Sequence, residues 1–368
     1  MKIAKILGLA MAAIFVVTFI VGGTAFAVPD FATKLQTDQA LGHSAWPMLN
    51  KFGRDAKESG YNLTGGSSIR PNILIKGYLY DQKKDKDEKL RPFHEYELFV
   101  AGRASDKMSV FLEVEGEDEN GFEPEVEMGV ITYHLAQPMN IQAGYGPILF
   151  ADPYDTLSDI RRMTRNKKAA VLSSEILGTR QFVSIYGRYG NLFYITALGG
   201  EHEDTEGEDP QTSAWRVAYD VIPQMTVGAM SISNEDKEVK GLDTQVELGG
   251  LIGHAAYVTE EAGNKTKSGY YLEGSYIAGG IVPTVRYENY EKPKGWQSEL
   301  TTNLSVYVAK NAKVGLEYWN TLETAPGSKD NNRVTAMFTP KKEAAFSFEK
   351  NYFVMILFIS GLRRVTIS

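Results

Sequence analysis

The strongest constraint on this chain is a two-residue period that recurs along most of its length. Between residues 72 and 338, segments of roughly ten residues alternate apolar and polar side chains, the signature of strands with unlike media on their two faces. One such segment sets Leu300, Thr302, Leu304, Val306 and Val308 against Glu299, Thr301, Asn303, Ser305 and Tyr307. Another sets Trp215, Val217 and Tyr219 against Arg216, Ala218 and Asp220. Sixteen segments read this way: 72–80, 92–103, 107–115, 124–135, 139–148, 179–189, 191–201, 213–221, 224–233, 242–249, 251–260, 268–278, 281–290, 297–309, 312–322 and 331–338.

The connections alternate too. Short links at Ser105-Asp106, Gln137-Pro138, Gly190, Ile222-Pro223, Gly250, Gly279-Gly280 and Asn311 are interleaved with long charged ones at 81–91, 116–123, 151–178, 200–212, 234–241, 259–267, 291–296 and 323–330. A soluble sandwich has no reason to alternate in this way. An antiparallel transmembrane barrel does, because tight turns collect at its periplasmic end and long loops at the other. In lipid every backbone polar group needs a partner within the protein, so the sheet must close on itself. The pattern therefore predicts an all-β fold, a transmembrane antiparallel β-barrel of about sixteen strands. A mean hydropathy of -0.25 excludes a bundle of apolar helices but not a barrel, whose strands are apolar on one face only. The 20 Tyr, 17 Phe and 4 Trp suit interfacial girdles, and the 35 Gly suit turns and lumen space. A secreted all-β domain is the alternative; no repeat of fixed period marks a solenoid.

The N-terminus sets the compartment. Lys2 and Lys5 precede an apolar run from Ile6 to Val21, and Ala25-Phe26-Ala27 fits a small-x-small cleavage site. Residues 1–27 are predicted to be a secretory signal peptide, with an uncleaved anchor as the alternative. Zero Cys in an exported chain excludes a disulfide framework and thioether-linked haem. The net charge of -7 gives no support for nucleic-acid binding. The expected location is the bacterial outer membrane, with lipid and lipopolysaccharide as partners.

Residues 28–71 differ from the rest and read as a periplasmic segment with a short helix. Ser44 suits its cap, Pro47 an early position, Met48, Leu49, Phe52 and Ala56 one face, and Gly60 the stop. Such a helix would plug the periplasmic mouth or dock a partner. The run Leu41-Gly42-His43-Ser44-Ala45-Trp46-Pro47, then Phe52-Gly53-Arg54-Asp55-Ala56-Lys57, resembles the N-terminus of a family of outer-membrane porin-like proteins. Many members carry one haem c motif there. At the matching positions this chain has Gln39, Gly42 and His43, so the histidine remains and both cysteines are gone. The resemblance implies a barrel without covalent haem, and no cofactor is expected. It also implies a second reading, a scaffold or sheath around a separate periplasmic or surface cytochrome.

The 151–178 connection is by far the longest, and it resembles by position and length the inward-folded third loop of general porins. Arg161, Arg162, Arg165, Lys167 and Lys168, with Asp152, Asp155 and Asp159, would form a charged pore constriction favouring anions. A solvated surface loop or a patch for lipopolysaccharide phosphates would have the same composition. On the strands, Arg103, Arg188, Arg216, Arg286 and Arg333, with Glu95, Glu97, Glu113, Glu115, Glu273, Glu288, Glu299 and Glu317, are predicted to line the pore. A Lys or Arg on the lipid face would cost about 2–4 kcal/mol at mid-bilayer. The acidic 201–209 stretch matches no calcium loop, so no metal site is expected. None of the five histidines sits in a hydrolase motif, and an enzyme is not expected.

Residues 339–368 make an atypical tail after a strand ending at Phe338; they read as poorly ordered or as an additional strand. The function expected is a porin that passes small hydrophilic or anionic solutes by diffusion, with a homotrimer as the candidate assembly.

Overall fold

The computed structural model describes residue 49 and residues 51–61, 68–136, 138–154, 178–200, 211–309, 312–330 and 332–343. Among the described residues one α-helix, α1 (Lys51–Glu58), precedes sixteen strands. The first eight are β1 (Ser68–Lys83), β2 (Lys89–Ser105), β3 (Met108–Glu117), β4 (Glu125–Ala136), β5 (Met139–Pro147), β6 (Thr179–Tyr189), β7 (Leu192–Gly199) and β8 (Thr212–Ile222). The rest are β9 (Met225–Ser233), β10 (Lys237–Leu248), β11 (Leu251–Ala262), β12 (Lys265–Tyr276), β13 (Ile281–Lys292), β14 (Gly295–Ala309), β15 (Ala312–Glu323) and β16 (Arg333–Glu343). Each strand pairs antiparallel with its sequence neighbours, and β1 pairs with β16, so the sheet is a closed barrel without edges. All sixteen predicted segments are strands.

Alternation sorts the side chains. On β8, Trp215, Val217 and Tyr219 are 46%, 40% and 48% exposed, whereas Ala214, Arg216 and Ala218 between them are 3%, 0% and 1% exposed. Val183 and Ile185 on β6, Leu242 on β10 and Leu272 on β12 continue the apolar outer surface. Facing water, such a surface would forfeit about 25 cal/mol for each Å² left unburied. Facing acyl chains, it costs nothing. Among the described residues no helix is long and apolar enough to cross a membrane.

Element boundaries differ from expectation at three hairpins and at the end of the last strand. Several predicted long loops are mostly strand: β9 and β10 are joined by 234–236, β11 and β12 by Gly263-Asn264, and β13 and β14 by Pro293-Lys294. A run of charge reads as loop in the sequence, but in the β11–β12 hairpin the charges pair across the strands. Lys267 reaches Glu260 at 3.3 Å, and these residues lie directly opposite each other in register. The last strand also continues beyond Phe338 to Glu343. Lys341, Lys342 and Glu343 pair with Leu74, Ile73 and Asn72 and complete the closure. Pairing with β1 lapses opposite Thr339-Pro340, where proline has no N–H to donate. Residues 344–368, and the segment 1–48, lie outside the described residues. At the short end, Gly249 and Gly250 make the β10–β11 turn with φ of 53° and 92°, which only glycine adopts freely in succession.

Truncation separates the last strand from the residues beyond it. A chain ending at Glu343 is expected to keep the barrel's heat-modifiable migration in SDS gels. A chain ending at Phe338 loses the closing pairs with 72–74 and is expected to migrate as unfolded at lower temperature.

Candidate functional site

The chemistry of a barrel lies in its interior, and among the described residues two elements enter it. The first is α1. Its Lys51–Asp55 pair, four residues apart at 2.8 Å, supports one exposed turn. Its C-terminus is a Schellman motif: Tyr61 N–H donates to Ala56 O at 2.8 Å and Gly60 N–H to Lys57 O at 3.1 Å, with Gly60 at φ 73°. Gly60 is the stop that the sequence predicts. Gly53, Arg54, Ala56 and Lys57 are buried.

The second element is the start of the long β5–β6 connection. After Pro147 the chain turns inward, with Phe150 N–H bonded to Pro147 O and Asp152 N–H to Leu149 O, both at 2.8 Å. It meets α1 there. Lys57 Nζ donates to Asp152 O at 2.7 Å and sits 5.5 Å from the Phe150 ring centre. Tyr154 is fully buried, and the guanidinium carbons of Arg54, Arg216 and Arg188 lie 5.2, 5.6 and 5.9 Å from its ring centre. Its hydroxyl donates to Asp220 at 3.0 Å and accepts from Arg188 at 2.8 Å.

Carboxylates answer the arginines. Arg188 binds Glu58 through Nε at 2.9 Å and Nη2 at 2.6 Å, and Asp220 through Nη1 at 2.8 Å. Arg216, with no exposure, lies between Asp152 at 2.8 Å and Asp243 at 2.6 Å. Two arginines (Arg188, Arg216) therefore meet four carboxylates (Glu58, Asp152, Asp220, Asp243), while Arg54 and Lys57 donate to the backbone carbonyls of Leu49 and Asp152. In a shielded interior such pairing is obligatory, because a buried unpaired charge costs several kcal/mol.

The other predicted wall residues also face inward. Arg103 donates to Ser59 O at 2.9 Å. Arg333 grips Asp81 at 2.6 and 2.7 Å. Arg286 lies 3.4 Å from both Glu273 and Glu288. Glu299 accepts from Tyr290 at 2.9 Å and from Trp319 at 2.9 Å, and Asn303 donates to Glu317 at 3.4 Å. Lys76 pairs with Glu95 and Glu97, and Glu113 and Glu115 stand on the neighbouring strand. Carboxylates on β13 to β15 thus stand roughly opposite arginines on β6 and β8 in the ring. An open aqueous lumen would leave such groups hydrated, yet Arg216, Arg286, Glu288 and Lys313 have no solvent exposure. Of the predicted constriction, Asp152 is inside the barrel against Arg216. Asp155, Asp159, Arg161, Arg162, Arg165, Lys167 and Lys168 lie outside the described residues, as does His43.

One constellation escaped the sequence. Ser109 Oγ is 3.0 Å from His134 Nε2, and His134 Nδ1 is 2.9 Å from Asn140 Oδ1. Cross-strand register joins these three, and no linear motif encodes that. The relay resembles a hydrolase triad, but Gly60 covers it: a β-carbon on Gly60 would fall 2.7 Å from Ser109 Oγ. With α1 docked, Gly60 occupies one side of Ser109 Oγ. Outside the membrane, His94, Asp118 and Glu119 are close enough together to share a metal ion. Arg91 already supplies a cation there. It donates to Asp118 at 2.7 Å and holds that carboxyl well below the usual carboxylate range.

No family model matches the chain, and no curated protein matches it. Solved structures do. An in-vitro-folded outer-membrane protein of Vibrio cholerae called OmpT, in its trimer form, aligns at 13% identity with a TM-score of 0.55, over 76% of this chain and 100% of its own. The fold is that of an outer-membrane β-barrel. The channel DcaP of Acinetobacter baumannii (13%, TM-score 0.54, 77% and 100% covered) and an anion-selective porin of Comamonas acidovorans (12%, 0.52, 75% and 100%) share it.

Two measurements test these contacts. Arg216→Ala leaves Asp152 and Asp243 without their buried cation and is expected to cost about 3–5 kcal/mol in urea unfolding from detergent or bilayer. Asp118 has a lowered folded value, so its contribution is complete above about pH 4 and is lost as pH falls below that. Limited proteolysis of the 118–124 loop should accelerate on acidification below that pH. In Asp118→Asn it should be fast already at neutral pH.

Proposed function

We propose that the barrel is a porin that passes small hydrophilic solutes, narrowed by the 151–178 connection and favouring anions through Arg161, Arg162, Arg165, Lys167 and Lys168. The observation that carries this reading is the charged inner wall of a closed sixteen-strand ring, with the first limb of the longest connection turned into the lumen at Asp152 and Tyr154. A ring of this strand number is wide enough to enclose an aqueous channel. Opposed rows of carboxylates and guanidinium groups polarise water and select by charge and diameter. The shielding of the wall charges argues for a low unit conductance. A homotrimer, the form of the Vibrio cholerae protein, is the expected assembly, with lipopolysaccharide around it.

Conductance of the pure protein in planar bilayers tests the reading. Stable open steps are expected, with a reversal potential in a salt gradient of anion-selective sign. Arg161→Ala, Arg162→Ala and Arg165→Ala together should shift that potential toward cation preference. Unchanged selectivity removes the loop from the constriction. A silent barrel that co-purifies with a cytochrome supports the sheath instead.

A further inference from the structure

The segment from Leu49 to Tyr61 is tied at its two ends to opposite sides of the ring. At one end Gln245 Nε2 on β10 donates to Leu49 O at 2.7 Å, and Lys51 N–H donates to Glu247 Oε2 at 3.1 Å. At the other, Arg103 Nε on β2 donates to Ser59 O at 2.9 Å, and the Tyr61 ring lies 5.6 Å from that of Phe111 on β3. In a ring of sixteen, β2 and β10 are eight places apart, so they face each other across the lumen. Gln245, Glu247 and Arg103 lie close to the short turns after Leu248 and Ser105, which places the crossing at the turn end of the barrel. Arg188 on β6, midway between, holds Glu58.

We infer that α1 is a strut across the periplasmic mouth, and that it sets the largest solute the channel passes. A helix with its side chains is about 10–12 Å across, so one laid over the mouth leaves narrow passages beside it. The 148–154 limb braces it from the lumen side through Lys57 and Tyr154. The strut's seat is also shaped to fit it. Gly60 packs so closely on Ser109 and His134 that any β-carbon would lie 2.7 Å from Ser109 and 2.9 Å from His134 Nε2, at a φ of 73°. Apolar packing alone would let a helix slide. Two backbone carbonyls held by wall side chains, one bidentate arginine and a glycine contact fix its position and angle. This inference rests on the porin reading and deepens it: the selected class is hydrophilic solutes below a size cut-off, fixed by a described element of the chain.

Two variants undock the strut without altering a strand: Gly60→Val, through steric clash, and Glu58→Lys, which sets a lysine against Arg188. Retained heat-modifiable migration shows that each is a folded barrel. In liposome swelling with neutral sugars of increasing size, both variants are expected to admit sugars that the wild type excludes. Unit conductance should rise about twofold. Because the chain has no Cys, Glu58→Cys with Arg188→Cys gives a clean pair for a short bis-maleimide cross-linker, read independently of conduction. Cross-linking within one monomer is expected, and with it the wild-type cut-off. Failure to cross-link overturns the docking. Variants that conduct with the wild-type cut-off overturn the strut as the size limit while leaving the porin intact. Silence of wild type and variants alike overturns the porin reading and the strut's role with it.

Discussion

Every other feature of this molecule hangs on closure of its hydrogen-bond ring. In hydrocarbon an unpaired N–H or C=O costs several kcal/mol, and an open sheet would expose two edges of them. β16 and β1 remove those edges by pairing from Arg333–Lys83 to Glu343–Asn72. Closure also divides the side chains into two sets, because a two-residue period leaves each one facing either lipid or lumen. Leu242 and Leu272 face lipid; Arg216, Arg286 and Glu317 do not. The charged side chains lie inside, beside a buried apolar cluster that includes Phe99, Phe111 and Phe150, because charge has nowhere else to go.

That interior then faces its own electrostatic problem. Charges excluded from lipid and shielded from bulk water must neutralise one another. They do so mainly within a strand or between adjacent strands, as Arg286 does with Glu288 and Glu273, and Arg333 with Asp81. Around Tyr154 the solution is three-dimensional. Cations from β6 and β8 meet anions from α1, the β5–β6 limb, β8 and β10. One of these contacts, Arg188 with Glu58, also holds α1 to the barrel wall. Charge balance and the placement of α1 share one network here.

Much of this was legible in the residues. Alternation marked every strand and the inward direction of the wall arginines and glutamates, since period 2 is local. Gly60 was legible as a helix stop because a left-handed C-terminal position needs no tertiary partner. The hairpins at 234–236, Gly263-Asn264 and Pro293-Lys294 were not, because charge reads as loop unless its cross-strand partner is known. Lys76, Tyr154 and Asp243 carry no local signal for a related reason: their roles come from neighbours far away in sequence. Ser109, His134 and Asn140 sit on three strands, and only register brings them together.

The order of residues is therefore enough to specify a closed antiparallel barrel in the outer membrane, with sixteen strands and a charged inner wall. Those properties come from a short-range period and from a solvent that forbids open edges. Three-dimensional packing alone fixes where α1 lies, that Gly60 rests on Ser109 and His134, and that the limb after Pro147 turns inward to Arg216. Those depend on strands β2 and β10 facing each other across a ring, a separation of half the barrel that no local pattern encodes.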